Sequence, residues 1–135
     1  MNLRFSNQEI RIRVEQTEFE KLLQGEALRE QIFFPNSREL NFKIQAVLMM
    51  KENEAMSVNW RQEGQRDELE LQVAFEALGA LATQAPKKEV ALFQEMEVPD
   101  HPDLKLRFEI DLFSIKAASR AQTSSKFPGR DSTLV

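Results

Sequence analysis

The sequence predicts one α+β domain that is mainly β, with seven to eight mostly antiparallel strands in a curved sheet or partly closed barrel and two short helices. Three observations predict it. The chain has 135 residues, which is enough for one domain with its own core. Apolar and polar residues alternate along much of the chain, as in strands that have one buried and one solvated face. Turn-forming residues separate these alternating segments.

The alternation is strongest in five segments, each of which predicts a strand. Their apolar members are Ile10, Ile12 and Val14; Leu40, Phe42, Ile44, Ala46 and Leu48; Met56, Val58 and Trp60; Leu69, Leu71, Val73 and Phe75; and Leu104, Leu106, Phe108, Ile110 and Leu112. The last of these strands is expected to continue to Ile115. Weaker patterns predict further strands at Leu3 to Phe5, Leu28 to Phe34 and Val90 to Val98.

Two segments have helical rather than alternating patterns. Thr17 is suited to be an N-cap, Glu20 stands three residues later as a capping-box partner, and Gly25 ends the first helix. The second helix is predicted from about Glu76 to Ala85. Because both are short, we expect them to cover the open end or the apolar face of the sheet.

The domain is expected to occupy residues 1–116. From residue 117 to residue 135 the periodicity is lost and the composition becomes rich in Ser, Thr, Ala, Arg and Lys. This predicts a polar, mobile C-terminal tail. No internal repeat is visible in the sequence.

The composition removes most catalytic chemistry. The chain has no Cys and no Tyr, one His and four Gly, so thiol nucleophiles, disulfides and Gly-rich phosphate loops are excluded or disfavoured. His101 lies between Asp100 and Pro102 in a turn-like segment that cannot by itself complete a metal shell. We therefore assign no catalytic residue, no metal ligand and no cofactor, and a non-enzymatic role is favoured.

Charge and hydropathy limit the partners and the location. The formal net charge is −4, which disfavours a general binder of nucleic acid or of anionic membranes. The first 14 residues carry four charges and no signal-peptide core, and no run approaches the roughly 18 apolar residues that span a bilayer. The sequence thus predicts a cytoplasmic protein with neither a membrane nor a nucleic acid as partner.

The candidate binding residues lie on the polar faces of the predicted strands. They are Arg11, Arg13, Lys43, Arg107 and Glu109. If the sheet closes with this face inward, these side chains line a tunnel that could hold a phosphorylated ligand through bidentate arginine contacts. If the sheet is open, they form a solvated face with cross-strand ion pairs. The Glu-x-Glu-x-Lys strand of the triphosphate-tunnel hydrolases is absent, because the corresponding strand reads Ile10-Arg11-Ile12-Arg13.

The N-terminal segment resembles a known family. Asn7-Gln8-Glu9-Ile10-Arg11-Ile12-Arg13-Val14, followed by Thr17-Glu18-Phe19, is similar to the opening of a family of small uncharacterised bacterial proteins with a domain of unknown function. Its members begin with a short strand, an Ile-Arg-x-Arg strand and a helix led by Ser or Thr and Glu. The resemblance implies a bacterial, cytoplasmic protein and carries over no functional residue.

Three functions are compatible with these features. The first is a non-enzymatic small binding or interaction module, with a protein partner or self-association. The second is a phosphorylated small-molecule binder or hydrolase that uses an Arg-lined sheet face. The third is an oligomeric structural protein joined through exposed strand edges.

Overall fold

A computed structural model describes residues 1–48, 50–84 and 91–111 of the chain. The elements in chain order are β1 Asn2–Ser6, β2 Glu9–Val14, α1 Gln16–Leu23, β3 Leu28–Phe33, β4 Glu39–Val47, β5 Met56–Glu63, β6 Arg66–Ala74, α2 Phe75–Gln84, β7 Ala91–Val98 and β8 His101–Ile110. The mainly β class, with eight strands and two short helices, is confirmed. Residues 112–115 of the predicted last strand, Ala85 of the predicted second helix and the predicted tail lie outside the described residues.

The strands form two four-stranded sheets. Sheet A has the order β1-β2-β8-β7, and sheet B has the order β3-β4-β6-β5. Hairpin neighbours are antiparallel, whereas β2 with β8 and β4 with β6 are parallel. The expectation of mostly antiparallel strands is confirmed, since four of the six described pairings are antiparallel. The arrangement as one sheet is corrected, because the described strands make two mixed sheets and no closed barrel. Alternation shows which face of a strand is buried, but it does not show which distant strand lies beside it.

The four hairpins are closed by short turns that need unusual backbone angles. Gln8, Ser37, Gly64 and Asp100 all have positive φ and lie in or beside the four turns. A positive φ costs little at Gly and is tolerated at Asp, and it allows a two-residue turn to match the twist of the flanking strands. The turns therefore fix each hairpin register locally.

Both helices follow directly from a central strand. Helix α1 has Glu15 as its N-cap, and the Glu18 carboxylate accepts a hydrogen bond of 2.9 Å from the Glu15 backbone N–H. This cap lies two residues before the predicted one, because Thr17 is already helical. Helix α1 buries Phe19 and Leu22 in the core between the sheets.

The two halves of the described chain have the same architecture. Elements β1-β2-α1-β3-β4 repeat as β5-β6-α2-β7-β8, and exchanging the halves converts the strand order of sheet A into that of sheet B. The registers agree as well. The parallel partners Ile12 and Phe108 in sheet A correspond to Leu71 and Ile44 in sheet B.

The core follows this internal duplication residue by residue. Equivalent buried pairs are Ile12 and Leu71, Val14 and Val73, Phe19 and Leu78, Leu22 and Leu81, Phe42 and Leu106, and Ile44 and Phe108. Two of the six pairs are identical, Val14 with Val73 and Leu22 with Leu81, and the other four share only apolar character. A sequence search for repeats therefore finds nothing, since burial constrains hydrophobicity and volume more strongly than residue type.

Replacing a core residue on a parallel strand should be costly. Phe108 is 0% exposed on β8, so we expect Phe108→Ala to lower the free energy of unfolding by about 3–5 kcal/mol through lost contacts and a cavity. Phe33→Ala is the control, because Phe33 is 71% exposed and its removal should change stability by about 0.5 kcal/mol or less. Urea unfolding followed by circular dichroism measures both, and equal effects would contradict the described core.

Candidate functional site

The charged strand residues lie on the outer faces of the two sheets. Arg11 and Arg13 flank Ile12, which is fully buried, and Arg107 and Glu109 flank the fully buried Phe108. Because neighbouring residues on a strand point to opposite faces, the buried faces of these strands form an apolar core and the charged side chains lie on the other side. The inward-facing charged tunnel, which required a closed barrel, does not form among the described strands, and these residues lie on a solvated face as in the open-sheet alternative.

Sheet A carries a row of three arginines across three strands. Arg4 on β1 is directly opposite Arg11 on β2, and Arg11 is directly opposite Arg107 on β8. Arg13 lies one row further along β2, opposite Glu109. We call this surface, formed by Arg4, Arg11, Arg13, Arg107 and Glu109, the arginine face. Like charges directly opposite each other destabilise a sheet, so this row is costly unless anions offset it.

Glu109 binds three of the four arginines. Its Oε1 accepts hydrogen bonds from Arg13 Nε at 2.8 Å and from Arg11 Nε at 3.0 Å. Its Oε2 accepts one from Arg107 Nε at 2.8 Å. Glu109 is only 6% exposed, and the three guanidinium groups surround its carboxylate on the outer face. The single carboxylate thus orients three cations at once.

These contacts keep Glu109 ionised. Burial raises the pKa of the carboxyl group, but hydrogen bonds from Arg13, Arg11 and Arg107 and the charge of Arg13 outweigh it and hold the pKa below its ordinary value. The carboxylate is therefore a fixed negative charge at neutral pH, and it neutralises only one of the positive charges around it.

The arginine face is a surface and not a cavity. The concavity between Asn2, Arg4, Arg11, Arg13 and Glu109 has a volume of about 10 Å³, which is about the space of one water molecule. On β7, the ring of Phe93 lies under the Arg107 guanidinium, whose central carbon is 4.9 Å from the ring centroid. This cation–π contact holds Arg107 flat over an exposed ring at the end of the row.

Lys43 lies apart from the other predicted binding residues. It is on the outer face of sheet B, where its Nζ is 3.9 Å from the Glu70 carboxylate. The Glu70 carboxylate also forms an ion pair with Arg61, in which Oε1 is 3.5 Å from a terminal guanidinium nitrogen. Arg11, Arg13, Arg107 and Glu109 therefore come together on one sheet, and Lys43 belongs to the opposite one.

The outer face of sheet B carries several ion pairs between adjacent strands. Arg61 forms an ion pair of 2.9 Å with Glu68, and Arg66 forms one of 3.3 Å with Glu39. Beside these pairs lies an open depression of about 360 Å³, which we call the polar depression. Its lining includes Arg29, Glu30, Gln31, Asn41, Lys43, Arg66 and Glu68.

Comparison with known proteins assigns the chain to a family. A family model described as a family of unknown function, DUF7009, matches residues 1–130. The chain belongs to the DUF7009 family. The expected resemblance to an uncharacterised family is thereby confirmed. No curated protein and no solved structure matches the chain.

One residue of the arginine face of this DUF7009 protein, Arg4, and one residue beside it, Phe93, were not predicted as site residues. Arg4 was missed because its strand is too short to show alternation, although the two-residue turn after Ser6 places it opposite Arg11. Phe93 lies in the weakly patterned segment that predicts a strand from Val90 to Val98, and it is 62% exposed on the outer face of β7. Predicting the register of the β1-β2 hairpin would have placed Arg4 opposite Arg11. The contact of Phe93 with Arg107 could be seen only in the folded sheet.

Other kinds of site have little support in the described part of this DUF7009 protein. No group of three or more His, Cys, Asp or Glu side chains there is arranged to hold a metal ion. None of the described helices has the length and hydropathy needed to cross a membrane. The two outer sheet faces are therefore the surfaces whose chemistry needs an explanation.

The ion pairs of Glu109 should make the free energy of unfolding depend on pH. Glu109→Gln removes the charge that separates three guanidinium groups, and we expect a loss of about 1–3 kcal/mol in the free energy of unfolding at neutral pH. The folded-state pKa of Glu109 is lowered, so its charge stabilises the fold above the unfolded carboxyl pKa of about 4 and this stabilisation is lost as the pH falls through the lowered value.

Urea titrations at several pH values measure this difference. The stability of Glu109→Gln should approach that of the wild type in acid. Glu68→Gln is the matched control, because its ion pair with Arg61 is more exposed and should contribute about 0–1 kcal/mol. A Glu109→Gln difference that stays constant with pH would contradict the role assigned to this carboxylate.

Proposed function

We propose that the protein is a non-enzymatic binding module whose arginine face holds an acidic segment of a partner protein. One observation carries the proposal: Arg4, Arg11 and Arg107 stand directly opposite one another on adjacent strands. Such a row of like charges lowers the stability of the isolated sheet, and an anionic partner would remove that cost. The binding of an acidic partner therefore accounts for a feature that folding alone does not favour.

The arginines retain donors for such a partner. Arg13 and Arg107 bind Glu109 through Nε, which leaves the terminal guanidinium nitrogens available. Four arginines against one glutamate give the face a formal charge of +3. Glu109 fixes the guanidinium groups before binding, so a partner carboxylate meets donors that have already lost much of their rotational freedom.

The shallow shape supports a segment lying across the surface and not an enclosed substrate. Neighbouring strands are about 4.8 Å apart, so the backbones of Arg4 and Arg107 are separated by about 10 Å. Two or three carboxylates on an extended peptide match that span. His101 is eight positions from Glu109 along β8, which is about 26 Å and too far for proton transfer at this face.

The surroundings favour an acidic protein over a nucleic acid. Glu9 and Glu95 lie in the row next to the arginines, on either side of Lys105. These carboxylates would repel a long phosphate backbone that crosses the whole sheet, whereas a short acidic segment can stay on the arginines. The net charge of the chain, −4, also disfavours binding of a nucleic acid.

Arg4→Gln tests the proposal without removing a contact to Glu109. Arg4 forms no ion pair with any described residue, so the variant should fold normally. Fluorescence anisotropy with a labelled peptide of alternating Glu and Ser should show about tenfold weaker binding to Arg4→Gln, because a charge-assisted hydrogen bond is lost. Arg29→Gln, on the outer edge of sheet B, is the matched control and should bind like the wild type.

Salt and competitors complete this experiment. Affinity for the acidic peptide should fall with added salt. A control peptide in which every Glu is replaced by Gln should not bind. Equal losses in Arg4→Gln and Arg29→Gln would contradict the proposal. Tighter binding of a DNA duplex than of the acidic peptide would also overturn it and would assign the face to nucleic acid.

Self-association is a second candidate, favoured by the free edge of sheet B. Strand β3 is an edge strand, and Ile32, Phe33 and Phe34 are exposed in succession at its end. Trp60, predicted to lie in the core, is 56% exposed on β5. Free strand edges with apolar side chains are templates for pairing with a second copy.

Light scattering after size exclusion tests this candidate. The wild type should show a mass that rises with concentration towards that of a dimer, and Phe33→Lys should weaken the dimer by about tenfold or more. Leu48→Lys is the control, since Leu48 is exposed but lies outside the strands. A monomer mass at every concentration would exclude self-association.

A further inference from the structure

We propose that the polar depression on sheet B is a second binding site, which takes a small phosphorylated and hydroxyl-rich molecule of the size of a sugar phosphate. This site is separate from the arginine face, because the two lie on the outer faces of different sheets. It does not depend on the acidic partner proposed above.

Two cations face each other in this depression. Arg29 on β3 is directly opposite Lys43 on β4, and both line the depression. Such a pair is unfavourable in an isolated sheet. Within residues 1–48, 50–84 and 91–111, Arg29 forms no ion pair. An anionic group placed between these two side chains would attract both and offset their repulsion.

The ammonium group of Lys43 has hydrogen-bond donors available for a ligand. Its side chain is 18% exposed, and its nearest carboxylate oxygen, on Glu70, is 3.9 Å away, which exceeds hydrogen-bond distance. A partly buried ammonium group has three donors, so the long contact to Glu70 leaves them for another acceptor. A phosphate group offers several acceptor oxygens to Lys43 and to the guanidinium group of Arg29.

Other residues that line the depression indicate the chemistry of the ligand beyond its phosphate group. Gln31, Asn41 and Glu68 supply amide and carboxylate groups that can exchange hydrogen bonds with hydroxyl groups. The volume of about 360 Å³ falls at the lower end of the range of ligand pockets. A lining this polar does not suit a flat apolar ligand, so a small hydroxylated phosphate ester fits it best.

The equivalence of the two halves shows what distinguishes the polar depression from the matching positions of sheet A. The positions of Arg29 and Lys43 correspond to Phe93 and Arg107 in the other half. There the guanidinium carbon lies 4.9 Å from the ring centroid in a cation–π contact. In sheet B both positions carry cations, and both line the polar depression.

NMR titration of the full-length protein tests this site, with glucose 6-phosphate as the phosphorylated probe and glucose as the uncharged control. Glucose 6-phosphate should shift the backbone amide signals of residues 29–31, 41–43 and 66–68 in a saturable manner, with a Kd of about 1 mM or tighter. Arg29→Gln should weaken this binding by about tenfold, and Lys43→Met should do the same. Arg4→Gln is the matched control and should leave it unchanged.

The outcomes separate this site from the arginine face. Loss of sugar phosphate binding in Arg29→Gln, together with intact binding of the acidic peptide, would support two independent sites. Absence of saturable shifts up to about 10 mM glucose 6-phosphate would overturn the proposal. Shifts confined to residues of sheet A, or equal weakening by Arg4→Gln and Arg29→Gln, would overturn it as well, even if the acidic peptide binds as proposed.

Discussion

The structure depends on two parallel strand pairings, β2 with β8 and β4 with β6. Each joins the first half of the chain to the second, so neither sheet is complete without both halves. They bring Ile12 beside Phe108 and Ile44 beside Leu71 at the centre of the core. Because these partners are distant in sequence, the chain-entropy cost of bringing them together must be offset by burial of the apolar inner faces.

The same pairings create the charged outer faces. Side chains of adjacent strands meet in rows, and burial of one face fixes the row on the other face through the two-residue period of a strand. The hairpin β1-β2 places Arg4 beside Arg11, but Arg107 joins them only because β8 lies next to β2. The arginine face is therefore a product of topology. The buried carboxylate of Glu109 makes it tolerable, since it neutralises part of the charge and orients the guanidinium groups.

The two equivalent β-β-α-β-β halves are alike on one side of the sheets and different on the other. Equivalent inner positions are apolar in both halves, because a loss of burial there would cost several kcal/mol. Equivalent outer positions face solvent and carry different residues. Thus Arg11 in sheet A corresponds to Glu70 in sheet B, and the stacked pair of Phe93 and Arg107 corresponds to Arg29 and Lys43. The two surfaces therefore differ in charge and shape although the scaffold beneath them is shared.

The sequence by itself determined the mainly β class and the buried faces of the central strands, since alternation distinguishes the two faces of a strand. It failed at Trp60 and Leu48, which belong to alternating sets but are exposed. It also brought Arg11, Arg13, Arg107 and Glu109 into one list of candidate residues, because they lie on the polar faces of strongly alternating strands. Only the tertiary structure decided that two mixed sheets form, that Lys43 lies on the opposite sheet, and that the halves are equivalent. The physical reason is that periodicity is a local property, whereas strand partnership depends on contacts between segments far apart in the chain.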